Sequence, residues 1–176
     1  MDQLSPRQER FLKRLDDSYQ RLLNSIIDLD ESTLSTAHIY DDWTPSDIFG
    51  HLVSWDNEFR ADIAIILQGR HPGYERVISG DLDFSVWNLA QRAQKRTLSW
   101  SETLADFERD VVEARNLILT LTPKDYRQRG VTPWKRAALE KPAVPTTSDT
   151  ESVETLISYH WRHWDQHTKW LERWRE

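Results

Sequence analysis

The sequence predicts an all-α protein: a four-helix bundle of up-down-up-down type with an extra short helix between its second and third long helices. Three observations predict it. Apolar residues recur at spacings of three and four over long stretches, the period of one buried helix face. Helix-start signals precede these stretches at Ser5-Pro6, at Thr44-Pro45 and at Ser99 with Glu102. Glycine is scarce, 5 in 176 residues, while tryptophan is abundant at 9 and β-branched runs are few, which argues against a sheet. A chain of this length is most simply one domain, residues 1–176, with enough length to bury a substantial core.

The first helix is read over residues 6–29. Ser5 caps it, Pro6 fits its first position, and Phe11, Leu15, Tyr19, Leu22, Ile26 and Ile27 belong to its apolar stripe. Residues 30–42 are a connection. The second helix has the sharpest start: Thr44 caps, Pro45 follows, and Asp47 complements the positive end of the helix dipole. Ile48, Leu52, Trp55, Phe59, Ile63 and Ile66 form its buried face, and Gly69 stops it after Gln68. An excursion over 70–80 leads to the extra helix, read over 83–96. Ser99 and Glu102 form a capping box for the third long helix, 101–121, with Leu104, Phe107, Val111, Ala114 and Ile118 on its stripe. Thr122-Pro123 opens a short turn reaching Gln128. Residues 130–149 are too long for an ordinary bundle connection and read as a lid or a mobile segment. The last helix starts behind a second capping box, Ser148 with Glu151, and reaches Trp174.

Composition removes several function classes. The chain carries 23 basic and 29 acidic residues, net −6, with no basic tract, so nucleic acid is not an expected partner. Cysteine is absent, which excludes disulfides, a thiol nucleophile and thiolate metal sites. Met1-Asp2-Gln3-Leu4-Ser5 lacks a secretory pattern and no apolar run approaches membrane-spanning length. The expectation is a cytoplasmic protein without a membrane partner. Surplus apolar helix faces make a homodimer a further expectation.

The segment Tyr159-His160-Trp161-Arg162-His163-Trp164-Asp165-Gln166-His167 holds three of the six histidines. On a helical wheel Leu156, His160, Trp164, His167 and Leu171 share one broad face, with His163 at its edge beside His167. Imidazoles therefore interrupt a core stripe, and a buried imidazole needs partners for both nitrogens. A single histidine in such a place is most often a satisfied core or pocket residue. His163 and His167, four residues apart, share a face and can grip one metal ion, and His51 on the second helix adds a third imidazole. His160, Trp55 and Trp164 are expected to line a pocket, with Trp43, Trp87 and Trp161 as further aromatic candidates. Asp47, one turn before His51, is a candidate to orient that ring from behind, or else simply a cap charge. Asp56 reads as a general base or as a solvated carboxylate. Asp165, His38 and His71 are expected to be exposed.

Two stretches carry a family resemblance. Trp43-Thr44-Pro45-Ser46-Asp47-Ile48-Phe49-Gly50-His51 and His163-Trp164-Asp165-Gln166-His167 resemble the helix-two opening and the H-x-x-x-H element of the DinB-like superfamily of four-helix bundles. The Trp-Thr-Pro opening, Asp56-Asn57-Glu58-Phe59 and the stretch from Gly69 to Trp87-Asn88 look most similar to its ClbS/DfsB-type branch. The resemblance implies a three-histidine metal site at His51, His163 and His167, completed by water, with Zn or Ni as the expected divalent ion. It implies a small-molecule substrate, electrophilic or thiol-linked, and a hydrolase or transferase. Relatives include thiol-dependent transferases and isomerases. The ClbS-type branch, associated with protection against a genotoxic cyclopropane-bearing metabolite, need not use a metal. It implies the alternative: a metal-free small-molecule binding or protective protein with an aromatic pocket. Thr168-Lys169-Trp170 depart from the basic and small polar residues that commonly follow the last histidine.

Overall fold

The computed structural model describes residues 3–76, 84–137 and 146–176. Its first helix, α1 (Pro6–Asn24), opens with a capping box: the Gln8 amide donates to the Ser5 hydroxyl, and the Ser5 amide donates back to Gln8 Oε1. It ends five residues earlier than periodicity suggests. The Ser25 hydroxyl donates back to the Leu22 carbonyl at 2.6 Å, and Ile27, assigned to the stripe, stands 78% exposed. The expected connection holds a helix of its own. Asp30 accepts from the Thr33 amide and opens α2 (Glu31–Thr36). A tight turn at Tyr40–Trp43 follows, with Asp41 at φ 49°, a left-handed conformation that aspartate tolerates.

The second long helix, α3 (Pro45–Leu67), starts at the Thr44–Asp47 capping box as expected. Short α4 (Pro72–Glu75) and then α5 (Ser85–Lys95) fill the crossover to α6 (Trp100–Thr120), itself capped by Ser99 and Glu102. A two-residue antiparallel pair, β1 (Arg129–Gly130) with β2 (Glu151–Ser152), ties α7 (Pro133–Ala137) to the start of α8 (Val153–Arg175). This pairing corrects the expected start of the last helix. Glu151 is extended opposite Gly130, so no helix can begin before it. The capping box lies at Thr146 and Asp149 on a 3₁₀ turn, and Ser152 caps α8 by accepting from the Thr155 amide at 3.0 Å.

Side-chain contacts fix the helix directions. Arg7 pairs with Glu154 and Arg21 with Asp165, so α1 and α8 are parallel. Phe49 meets Trp100 and Arg60 meets Asp110, so α3 and α6 are parallel as well. Gln8 reaches the Ile118 carbonyl while Tyr19 stacks on Phe107, and His51 faces His163 while Phe59 faces Tyr159. The α1–α6 and α3–α8 pairs are therefore antiparallel. The four-helix bundle stands as predicted, but its order is up-down-down-up, not up-down-up-down. Two successive parallel helices need a connection that returns along the bundle, and the stretch holding α4 and α5 supplies it. Periodicity tells which face of each helix is buried; it does not tell which helix covers it. The core includes Leu15, Leu52, Ile63, Phe107, Ile118 and Trp164. No helix among the described residues is long and apolar enough to cross a membrane.

Gly130 is required by close approach. A Cβ there would stand 2.6 Å from Ile66 Cγ1. Gly130→Ala is expected to cost about 1–3 kcal/mol through overpacking, measured by urea denaturation. Unchanged stability would mean that Ile66 repacks freely and that the β1–α3 contact is loose.

Candidate metal centre

The antiparallel packing of α3 on α8 brings three imidazoles to one point. His51 Nε2 lies 3.2 Å from His163 Nε2, and His167 Nε2 lies 3.1 Å from the same atom. All three offer a ligand atom within 4.8 Å of one another. His51 and His167 are buried and His163 is half-buried. Trp43, delivered by the Tyr40–Trp43 turn, packs edge-on against His51 at 5.4 Å, and Trp170 packs against His167 at 4.4 Å.

Burial holds these rings neutral. It lowers His51 to about 4 and His167 to about 3, and puts His163 well below the usual histidine range, with the neighbouring imidazoles adding to the effect. Neutral imidazole is the form that ligates metals. Three neutral rings facing through Nε2 have a pairing problem. Protons on all three collide, lone pairs on all three repel, and one proton serves two neighbours only as a bent, shared bond. A cation at the centre satisfies all three facing nitrogens. Ligand nitrogens on a tetrahedral zinc at 2.0–2.1 Å stand about 3.3 Å apart, close to the 3.1 and 3.2 Å found here. The donor set therefore fits a divalent ion that favours imidazole. The opposite nitrogens are less well provided: Nδ1 of His51, His163 and His167 is buried without a hydrogen-bond partner.

A cavity of about 440 Å³ opens over His163, lined also by Trp55, Phe59, Trp134, Tyr159, Arg162 and Gln166. The crossover sets one wall. Trp55 Nε1 donates to Asn88 Oδ1 on α5 at 3.0 Å, and its ring lies 4.6 Å from that of Trp87. The opposite wall comes from α7 and α8, where the Tyr159 hydroxyl donates to Glu151 at 3.0 Å.

Of the three residues expected to line a pocket, Trp55 lies in the lining of this cavity and His160 and Trp164 do not. Both turn toward the bundle axis and lie beneath it. Trp164 is fully buried against Phe107, and its Nε1 donates to Asp56 Oδ2 at 2.7 Å. His160 Nδ1 lies 2.9 Å from Asp56 Oδ1. Asp56 is thus neither solvated nor open to a substrate. Burial raises its carboxyl and that of Asp110 above the usual range, and Asp110 is raised further by Asp56 beside it. Asp47 does not orient His51. It accepts from the Thr44 amide at 3.0 Å and pairs with Arg96 and Arg92, on the α5 side of the helix. Burial works against its charge, but the hydrogen bonds from Arg96 and Thr44 prevail and hold its carboxyl low.

His71 is another correction, since its Nδ1 accepts from the Val131 amide at 3.2 Å, whereas His38 is exposed as expected. Asp165 is half-buried and paired with Arg21. Trp161 packs on Phe11 in the core. The sequence reading missed Trp134, Tyr159, Arg162 and Gln166. Tyr159, Arg162 and Gln166 had a signal, because with His163 they follow one face at spacings of three and four. Trp134 had none, because only tertiary folding brings α7 to the site.

The family model of the DinB superfamily matches residues 14–167. Among solved structures, the chain is similar to YfiT from Bacillus subtilis, described as a probable metal-dependent hydrolase with an unusual four-helix bundle topology. Identity is 16%, the TM-score is 0.69, and the match covers 99% of this chain and 89% of that one. A protein from Streptococcus pneumoniae is similar over 99% of this chain and 93% of its own, at 15% identity and a TM-score of 0.62. No curated protein matches the chain.

Proposed function

This chain belongs to the DinB superfamily, and we propose that it is a metal-dependent enzyme, a hydrolase or transferase acting on a small electrophilic or thiol-linked substrate. One observation carries the reading: three neutral imidazoles face one another through Nε2 at the wall of an aromatic cavity. His51, His163 and His167 would hold a divalent ion, with Zn or Ni favoured by an all-imidazole set. Such an ion supplies Lewis acidity at the cavity wall. Three protein donors are the number used by catalytic zinc sites, which keep a position open. Trp55, Phe59, Trp134 and Tyr159 exclude water from the substrate's flanks and orient it. The description of YfiT as metal-dependent supports this reading.

A second reading has its own observation. Metal-ligating histidines nearly always hydrogen-bond through their other nitrogen, and here none of the three Nδ1 atoms has a partner among the described residues. That favours a metal-free, ClbS/DfsB-like protein that binds or sequesters small molecules in the same aromatic cavity.

Turnover separates the two. Untagged protein would be assayed on activated esters and on conjugation of a small thiol to an electrophilic arene, with and without chelator. The metal-dependent enzyme is expected to lose turnover on chelation and to regain it with Zn or Ni. Turnover indifferent to chelator would overturn the metal dependence, and no turnover by metal-loaded protein on either substrate type would leave the sequestering role.

A further inference from the structure

We infer that the cavity over His163 selects ligands built from a flat apolar body bearing one anionic group, and that Arg162 reads the anion. This deepens the proposed function, on which its status as a substrate site rests; the binding preference itself does not require a metal.

The argument starts from the lining. Trp55, Phe59, Trp134 and Tyr159 are aromatic, with Trp134 at 5.9 Å from Phe59, 6.3 Å from Tyr159 and 6.4 Å from Trp55, ring centre to ring centre. Such a group of ring faces and edges suits a planar apolar guest, which gains by stacking or edge contact. Aromatic walls of this kind also suit cations, so charge must decide between the two. Arg162 is the one charged side chain in the lining among the described residues. Its guanidinium lies 5.8 Å from the centre of the Tyr159 ring and makes no ion pair among them.

Other arginines near this part of the bundle are engaged: Arg60 with Asp110 and Glu113, Arg92 and Arg96 with Asp47. Arg162 therefore keeps its donors for a ligand, and its planar fork matches a carboxylate or sulfonate in two parallel bonds. The charge continues outward. Arg162, Gln166, Lys169, Trp170 and Arg173 line an adjoining groove on the same helix together with Asp165, whose charge is paired with Arg21. A cationic guest would meet repulsion at the mouth although the walls would accept it. The chain as a whole is net −6, so this positive edge runs against its overall charge.

The test uses three probes that share one ring system: naphthalene-2-sulfonate, 2-naphthalenemethanol and 2-naphthylmethylammonium. Sulfonate is chosen because it is a poor metal ligand, so its binding reports on the guanidinium. Affinities would be measured by calorimetry, with and without chelator. The sulfonate is expected to bind at least tenfold more tightly than the alcohol, and the ammonium most weakly. Arg162→Gln, a surface change, should bring the sulfonate to the level of the alcohol and leave the alcohol unchanged. Trp134→Ala should weaken all three. Equal binding of sulfonate and alcohol, preference for the ammonium, selectivity surviving Arg162→Gln, or no binding of any probe would overturn the inference. The two readings fail separately. Anion preference in a protein that neither binds metal nor turns over ester leaves this inference standing alone. Metal-dependent turnover without anion preference removes it and keeps the enzyme.

Discussion

Wild-type protein given excess Zn or Ni is expected to melt about 8–16 °C above the chelated protein, and the His163→Ala, His167→Ala double variant is expected to show no shift. The size follows from linkage. A ligand at a thousand times its dissociation constant stabilises the native state by about 4 kcal/mol, and in a domain of this size each kcal/mol moves the melting point by about 2–4 °C. The double variant leaves His51 as the sole member of the trio, and one imidazole does not retain a divalent ion against buffer. His51→Ala alone is expected to reduce the shift strongly, because it removes the donor that joins α3 to α8. Calorimetry with metal analysis of untagged protein checks both. A full shift in the double variant, or none in the wild type with Zn, Ni, Mn or Fe, would sink the metal site.

Trp164→Ala is expected to be the most destabilising single change in the chain. Trp164 is the largest fully buried side chain among the described residues, and truncating such a ring costs about 3–5 kcal/mol. It also removes the donor to Asp56 Oδ2, leaving a buried carboxyl short of one partner at about 1–3 kcal/mol more. Trp164→Phe helps separate the two contributions, since it keeps much of the volume and loses the N–H; a loss of about 1–3 kcal/mol is expected. Urea denaturation followed by circular dichroism measures all three proteins. A Trp164→Ala variant within about 1 kcal/mol of wild type, the error of such measurements, would contradict the core described above.

What the sequence made legible was local. The starts of α1, α3 and α6 could be placed because a cap and its partner lie three residues apart. The start of α8 could not, because Glu151 answers to Gly130, far back in the chain. The histidine pair on α8 was readable from spacing, and its partner on α3 was named by the resemblance of the helix-two opening. Asp56 was misread because a carboxylate is ordinarily a surface group; nothing local announces that Trp164 and His160 come down on it from another helix. Helix order was equally hidden, since the same stripes serve any arrangement of neighbours.

The crossover has a consequence for how such a molecule can change. Asn88 and Trp87 hold the Trp55 wall of the cavity, yet no residue of α5 belongs to the apolar core of the bundle. The histidines and the core stand on the long helices. Substitutions at Trp87 and Asn88 can therefore reshape what the cavity admits while the core and the candidate metal ligands stay as they are. Part of the cavity's wall is thus held from outside the stretches that carry the core.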